Sequence, residues 1–76
     1  MTKIISDTSV NNIKNPGIYG SFSFLDAPQN AIGVSLLVVI SYGPSYFIQL
    51  FFVIDGGPNF HFRTYNNGYS SWTKIV

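Results

Sequence analysis

Between His61 and Trp72 the chain gathers His61, Arg63, Tyr65, Asn66, Asn67, Tyr69 and Trp72. Aromatic faces hold the C–H surfaces of sugars, while amide, guanidinium and hydroxyl groups bond to sugar hydroxyls. These seven residues form a candidate glycan patch. On a strand from Phe60 to Tyr65, His61, Arg63 and Tyr65 share the side opposite Phe60 and Phe62, and are expected on the less buried face beside an Asn66-Asn67-Gly68 turn. Each residue also has a structural role open to it. Arg63 can pair with Asp26 or Asp55 or stack on an aromatic ring of a neighbouring chain. Trp72, the largest apolar side chain, can dock in a core or an interface, and Asn66, Asn67 and Gly68 suit a tight turn of positive φ. Tyr42, Tyr46 and Tyr69 flank turns, where a ring with a hydroxyl can cap a core or take part in recognition.

Catalytic chemistry has little to draw on. Glu and Cys are absent, His61 is the single histidine, and Asp7, Asp26 and Asp55 lie far apart beside turn-forming residues. No local run supplies nucleophile, base and orienting group, and no Gly-rich phosphate loop leads into a helix. The reading is a non-enzyme with no cofactor and no metal site. Four Lys and Arg against three Asp give a net charge of +1, too weak to attract nucleic acid by field alone.

The elements that would position the patch are all strands. Met1 to Asn15 is a polar lead-in without sustained period, and residues 16–76 form the one β domain. After a Pro16-Gly17 turn, Ile18 to Leu25 reads as a half-buried strand, and Asp26 to Gly33 as a loop around Pro28 and Asn30. Val34 to Ser41 and Tyr46 to Ile54 make a hairpin across Tyr42-Gly43-Pro44-Ser45. A second turn at Asp55-Gly56-Gly57-Pro58-Asn59 leads to the Phe60–Tyr65 strand, and Ser71 to Val76 closes the set. The fold class is all-β, a small antiparallel meander or sandwich. The uncharged run from Ala27 to Ile54 is long enough to cross a bilayer, but Gly43-Pro44 and its β-branched content favour strands over a membrane helix. Lys3-Ile4-Ile5 passes at once into polar residues, so no signal peptide is expected and synthesis is expected in the cytoplasm.

Solubility is the difficulty for such a chain. Charged residues are 9% of its 76 positions, against about 25% in ordinary soluble domains, while hydrophobic residues reach 46%. Strand alternation puts Val34, Leu36, Val38, Ile40 and Tyr42 on one side of the first hairpin arm, and Leu37 and Val39 with two serines on the other. The second arm repeats this, with Tyr46, Ile48, Leu50, Phe52 and Ile54 opposite Phe47, Phe51 and Val53, a row broken by Gln49. Both faces are apolar and no helix is available to cover either. One face meets the domain's own core. The other, taken as Leu37, Val39, Phe47, Phe51 and Val53, is expected to meet neighbouring copies.

The order of motifs is also informative: Asn15-Pro16-Gly17-Ile18-Tyr19, the apolar strand Gly33 to Ile40, Tyr42-Gly43, Phe47-Ile48-Gln49-Leu50-Phe51-Phe52, Phe62-Arg63-Thr64-Tyr65-Asn66-Asn67-Gly68, and Ser70-Ser71-Trp72-Thr73-Lys74-Ile75. From Asp7 to Val76 this order resembles the knob domain of phage tail fibres and pyocins. The resemblance implies a homotrimer at the tip of a bacteriophage tail fibre or tailspike. Such a module binds a host-cell surface glycan or protein, or else caps and stabilises a larger tail-fibre or capsule-depolymerase chain. It implies location in the virion and neither nucleic-acid binding nor membrane insertion. The long shaft that normally carries such a knob is not part of this chain.

Overall fold

A computed structural model of the chain describes residues 2–28, 33–54 and 59–75. The expected turn at 55–58, and Asn30 of the expected loop, lie outside the described residues. Six strands form one sheet in chain order: β1 (Thr2–Ile4), β2 (Gly17–Ser21), β3 (Ser35–Gly43), β4 (Tyr46–Val53), β5 (Asn59–Asn66) and β6 (Thr73–Lys74). β1 runs parallel to β2, and every other pair is antiparallel. The chain is all-β, as its sequence predicts, with a single sheet in meander order rather than two facing sheets.

Local chemistry explains the boundaries. β3 and β4 are rich in β-branched and aromatic residues and turn through Pro44-Ser45, with a register shift between Ser41 and Gly43. β2 ends at Ser21, short of the expected Leu25. The Ser23 amide donates to the Ser21 hydroxyl oxygen at 2.9 Å, a local turn that competes with the ladder, and Phe22 is left exposed. The closing strand shortens to Thr73–Lys74, anchored by a bond from the Ile75 amide to the Phe60 carbonyl.

The two sheet faces separate as alternation requires, but the covered one is the reverse of what the sequence suggests. Leu37, Val39, Phe47, Phe51 and Val53, expected to meet neighbouring copies, are the core of the single chain, none more than 7% exposed. Their cover is the lead-in. A 3₁₀ turn at Val10–Asn12, capped by the Ser9 hydroxyl accepting from the Asn11 amide, sets Val10 and Ile13 on this face, and Phe24, Tyr69 and Trp72 pack beside them. Residues 2–15 therefore pack with the strands as part of the domain. Its register is held by paired backbone bonds, Val10 amide to Leu25 carbonyl and Leu25 amide to Thr8 carbonyl.

The opposite face carries Leu36, Val38, Leu50, Phe52, Phe60 and Phe62, all half-buried, with Ile18 and Ile40 exposed at its margins. Cross-strand register runs Ile18–Val38–Leu50–Phe62 and Gly20–Leu36–Phe52–Phe60, and the Phe52 and Phe60 rings stack at 4.6 Å. Among the described residues no second layer lies over it, and register places no charged side chain on it.

Candidate functional site

Arg63 organises the residues named from sequence. It lies on β5 directly opposite Gln49 of β4, with both side chains on the covered face, and both are buried. The Arg63 Nε donates to Gln49 Oε1 at 2.8 Å, and its terminal nitrogen donates to Asn11 Oδ1 at 2.7 Å. Gln49 in turn donates its amide to the Val10 and Ile13 carbonyls at 2.8 and 2.9 Å. Those carbonyls belong to a 3₁₀ turn and its cap, where that of Val10 also accepts from the Ile13 amide at 3.3 Å. A polar ladder thus runs from β5 through β4 into the lead-in and ties the cover to the sheet.

Aromatic rings complete the cage. The Arg63 guanidinium lies 3.7 Å from the Tyr69 ring centroid and 4.4 Å from that of Trp72. Tyr69 donates its hydroxyl to the Asn11 carbonyl at 2.8 Å, and Trp72 meets Phe51 edge-on. The turn after β5 delivers both rings. The Asn66 amide bonds to the Gly68 carbonyl, the Thr64 amide to the Ser70 hydroxyl, and Asn67 takes φ 55°. Burial lowers the Arg63 pKa from its ordinary value, with Tyr69 and Asp26 acting the other way, and burial raises that of Tyr69. Guanidinium tolerates this site because its planar donors reach neutral acceptors while two aromatic rings lie close against it.

The expectation of an open His61–Arg63–Tyr65 row is therefore corrected. His61 and Arg63 are 5% and 6% exposed, and Tyr65 is half-buried, stacked on Phe47 at 4.6 Å. Of the seven candidate patch residues, Arg63, Tyr65, Tyr69 and Trp72 come together, as a packed cluster rather than a groove. His61 sits apart, beside Lys74, with its Nδ1 buried and unpartnered. Asn66 and Asn67 are exposed at the end of the sheet. Two turn-flanking residues for which the sequence leaves core capping or recognition open lie at that same end: Tyr42, 94% exposed, and Tyr46, whose rings meet edge-on at 6.4 Å. Tyr46 is the register partner of Asn66, and the Asn67 amide bonds to the Ser45 carbonyl, so hairpin and turn form one tip.

Sequence reasoning missed Asn11 and the anchoring role of Gln49. The available signal was a lone amide in an otherwise apolar strand, a residue type that is buried only when bonded. Among the described residues no three His, Cys, Asp or Glu side chains gather, and no helix is long and apolar enough to cross a membrane. No family model matches the chain, and neither a curated protein nor a solved structure is found to be similar to it.

Proposed function

We propose that this chain is a non-catalytic tip module of a bacteriophage tail fibre or tailspike, assembling as a homotrimer and binding host-cell surface glycan, made in the host cytoplasm and carried in the virion. The observation that supports it is the uncovered sheet face of Leu36, Val38, Leu50, Phe52, Phe60 and Phe62. At a strand spacing of about 4.8 Å and a rise of about 3.4 Å each residue covers about 33 Å² of one face, so these six cover roughly 200 Å², and about 300 Å² with Ile18, Ile40 and Ile48 beside them. That is at the lower end of the about 300–600 Å² typical of the largest apolar patch on a monomer. At about 25 cal/mol per Å² burial of the larger area is worth about 7 kcal/mol per chain, within the range of the association cost of about 4–15 kcal/mol. A flat face with no charge on it is complementary to itself, so copies of the chain suit it, and three sheets with this face turned inward close a threefold prism.

Glycan contact in this reading belongs to the exposed tip, where Tyr42 and Tyr46 present rings and Asn66 and Asn67 present amides. A second reading, a trimerisation and capping element for a larger fibre or depolymerase chain, is favoured by the locking of Arg63, Tyr69 and Trp72 inside the fold. Light scattering tests the shared part: three copies of the 8.4 kDa chain are expected, reduced to one by Leu50→Lys. A soluble single chain of wild-type sequence would sink both readings, and a twofold assembly would sink the fibre-tip one. Tyr42→Ala with Asn66→Ala separates the two readings. Loss of host-glycan binding at unchanged mass supports adhesion, and unchanged binding at unchanged mass rejects the tip as the contact.

A further inference from the structure

A second polar cluster lies on the covered side of the sheet, away from both the tip and the Arg63 cage. Lys3 of β1 is the register partner of Tyr19 of β2, so the two side chains share a face, and the lead-in folds back over them. A cavity of about 190 Å³ opens there, lined by Lys3, Thr8, Asn12, Lys14, Asn15 and Tyr19 together with Ile5 and Ile13. The Tyr19 hydroxyl donates to the Asn15 carbonyl at 2.7 Å and fixes one wall. The Lys14 side chain is exposed, with its ammonium 5.0 Å from the Tyr65 ring centroid.

The charge distribution gives this cavity its meaning. The chain has four Lys and Arg in all, of which Arg63 is enclosed in its cage, and two of the other three line this one cavity. Among the described residues no carboxylate lines it. Lys3 and Lys14 are both exposed side chains lining one small cleft, so an anion held there gains from two like charges. The remaining lining offers hydroxyl and amide groups beside apolar side chains, the combination that holds a sugar ring. At about 190 Å³ the space is below the roughly 300–1,000 Å³ of sites for drug-sized ligands, a size suited to one sugar residue rather than a chain.

The geometry points to an anion-selective saccharide subsite between β1, β2 and the lead-in: Lys3 and Lys14 take the carboxylate or phosphate of one acidic sugar, and Asn12, Asn15 and Thr8 take its hydroxyls. This deepens the adhesion reading and rests on it, naming acidic glycans as the class recognised. Lysine is suited to the role because its ammonium donates to either anion without demanding a fixed fork.

The test is a titration of the full chain with glucuronate, glucose 6-phosphate, inorganic phosphate and glucose, followed by amide chemical shifts. The acidic sugars are expected to shift amides of Asn12 to Asn15 and Tyr19, saturably and more weakly at high salt, while glucose does not. The relative response to glucuronate and glucose 6-phosphate assigns the anion as carboxylate or phosphate. Lys3→Gln should weaken binding several-fold, and Lys3→Gln with Lys14→Gln by about tenfold or more. Because Lys14 also packs on Tyr65, the single Lys3 variant keeps the result independent of any loss of stability. Equal shifts with glucose, or unchanged affinity in the double variant, would overturn the inference, and inorganic phosphate binding as tightly as the sugar phosphate would overturn its saccharide part. Blank titrations by a trimer that still binds host glycan reject this subsite and leave the fibre-tip reading standing. A single-copy mass with positive titrations does the reverse.

Discussion

Replacing Arg63 by Met keeps most of the side-chain stem and removes the guanidinium from the centre of the cage. Two acceptors, Gln49 Oε1 and Asn11 Oδ1, lose charged donors at 2.8 and 2.7 Å. A buried acceptor left unbonded costs about 1–3 kcal/mol. Two cation–π contacts, to Tyr69 and Trp72, contribute about 0.5–1 kcal/mol each, or more where water is excluded. Against this, the variant no longer holds a charge out of water, a relief of several kcal/mol. The expected net loss is about 2–4 kcal/mol of unfolding free energy. Urea unfolding at one fixed protein concentration, read by the fluorescence of the single Trp72 beside the guanidinium, measures it. Gln49→Leu should cost a similar amount, because the Ile13 carbonyl loses its Gln49 donor, that of Val10 keeps only the Ile13 amide, and the Arg63 Nε loses its acceptor. Since the two residues act through one ladder, the double variant should lose about 1–3 kcal/mol less than the sum of the singles. A loss below about 0.5 kcal/mol for Arg63→Met, or strict additivity with Gln49→Leu, would refute the idea that this ladder fastens the lead-in to the sheet.

Burial, and then the charge of Lys74, lower the His61 pKa from its ordinary 6.5, so the unfolded chain takes up its proton first. The melting temperature should therefore hold above about pH 6.5 and fall as pH drops below it, a slope that His61→Phe should flatten; a melting temperature that rises on acidification would contradict the assignment. Deleting residues 2–13 should abolish cooperative unfolding and produce dye-binding apolar surface, since Val10 and Ile13 roof the core; a sharp transition in the truncated chain would restore a domain confined to residues 16–76. Phe51→Ala, at a ring 1% exposed and in edge contact with Phe24 and Trp72, should cost about 3–5 kcal/mol, measured by urea unfolding.

Strand positions were legible because β-branched and aromatic runs alternate between turn residues, and the hairpin at Pro44-Ser45 follows from that alone. The grouping of side chains into two faces was legible too, Leu37 with Val39 and Leu36 with Val38. Which face turns inward was not, because the usual guide, a polar outer face, is missing when both are apolar. The decision lies with residues that show no period. Val10 and Ile13 cover the sheet from a single 3₁₀ turn and extended chain, too short for a repeat to register. For the same reason the Arg63 row, polar by composition, was placed outside. Gln49, the side-chain oxygen of Asn11 and a pair of rings satisfy Arg63 inside, through partners up to 52 positions distant in the chain. The lysine-lined cavity was illegible because Lys3 and Lys14 belong to segments that meet only when β1 joins β2.

That parallel pairing has a kinetic consequence. Adjacent strands from β2 to β5 can zip in succession, each closing a short stretch of chain, whereas β1 reaches β2 only across the intervening lead-in, and Asn11 waits for Arg63. During synthesis residues 2–13 thus emerge before the surface they are to roof has been made. Asn11 stays without its guanidinium partner until translation has passed the fifth strand, so the lead-in settles fully only after the strands it covers.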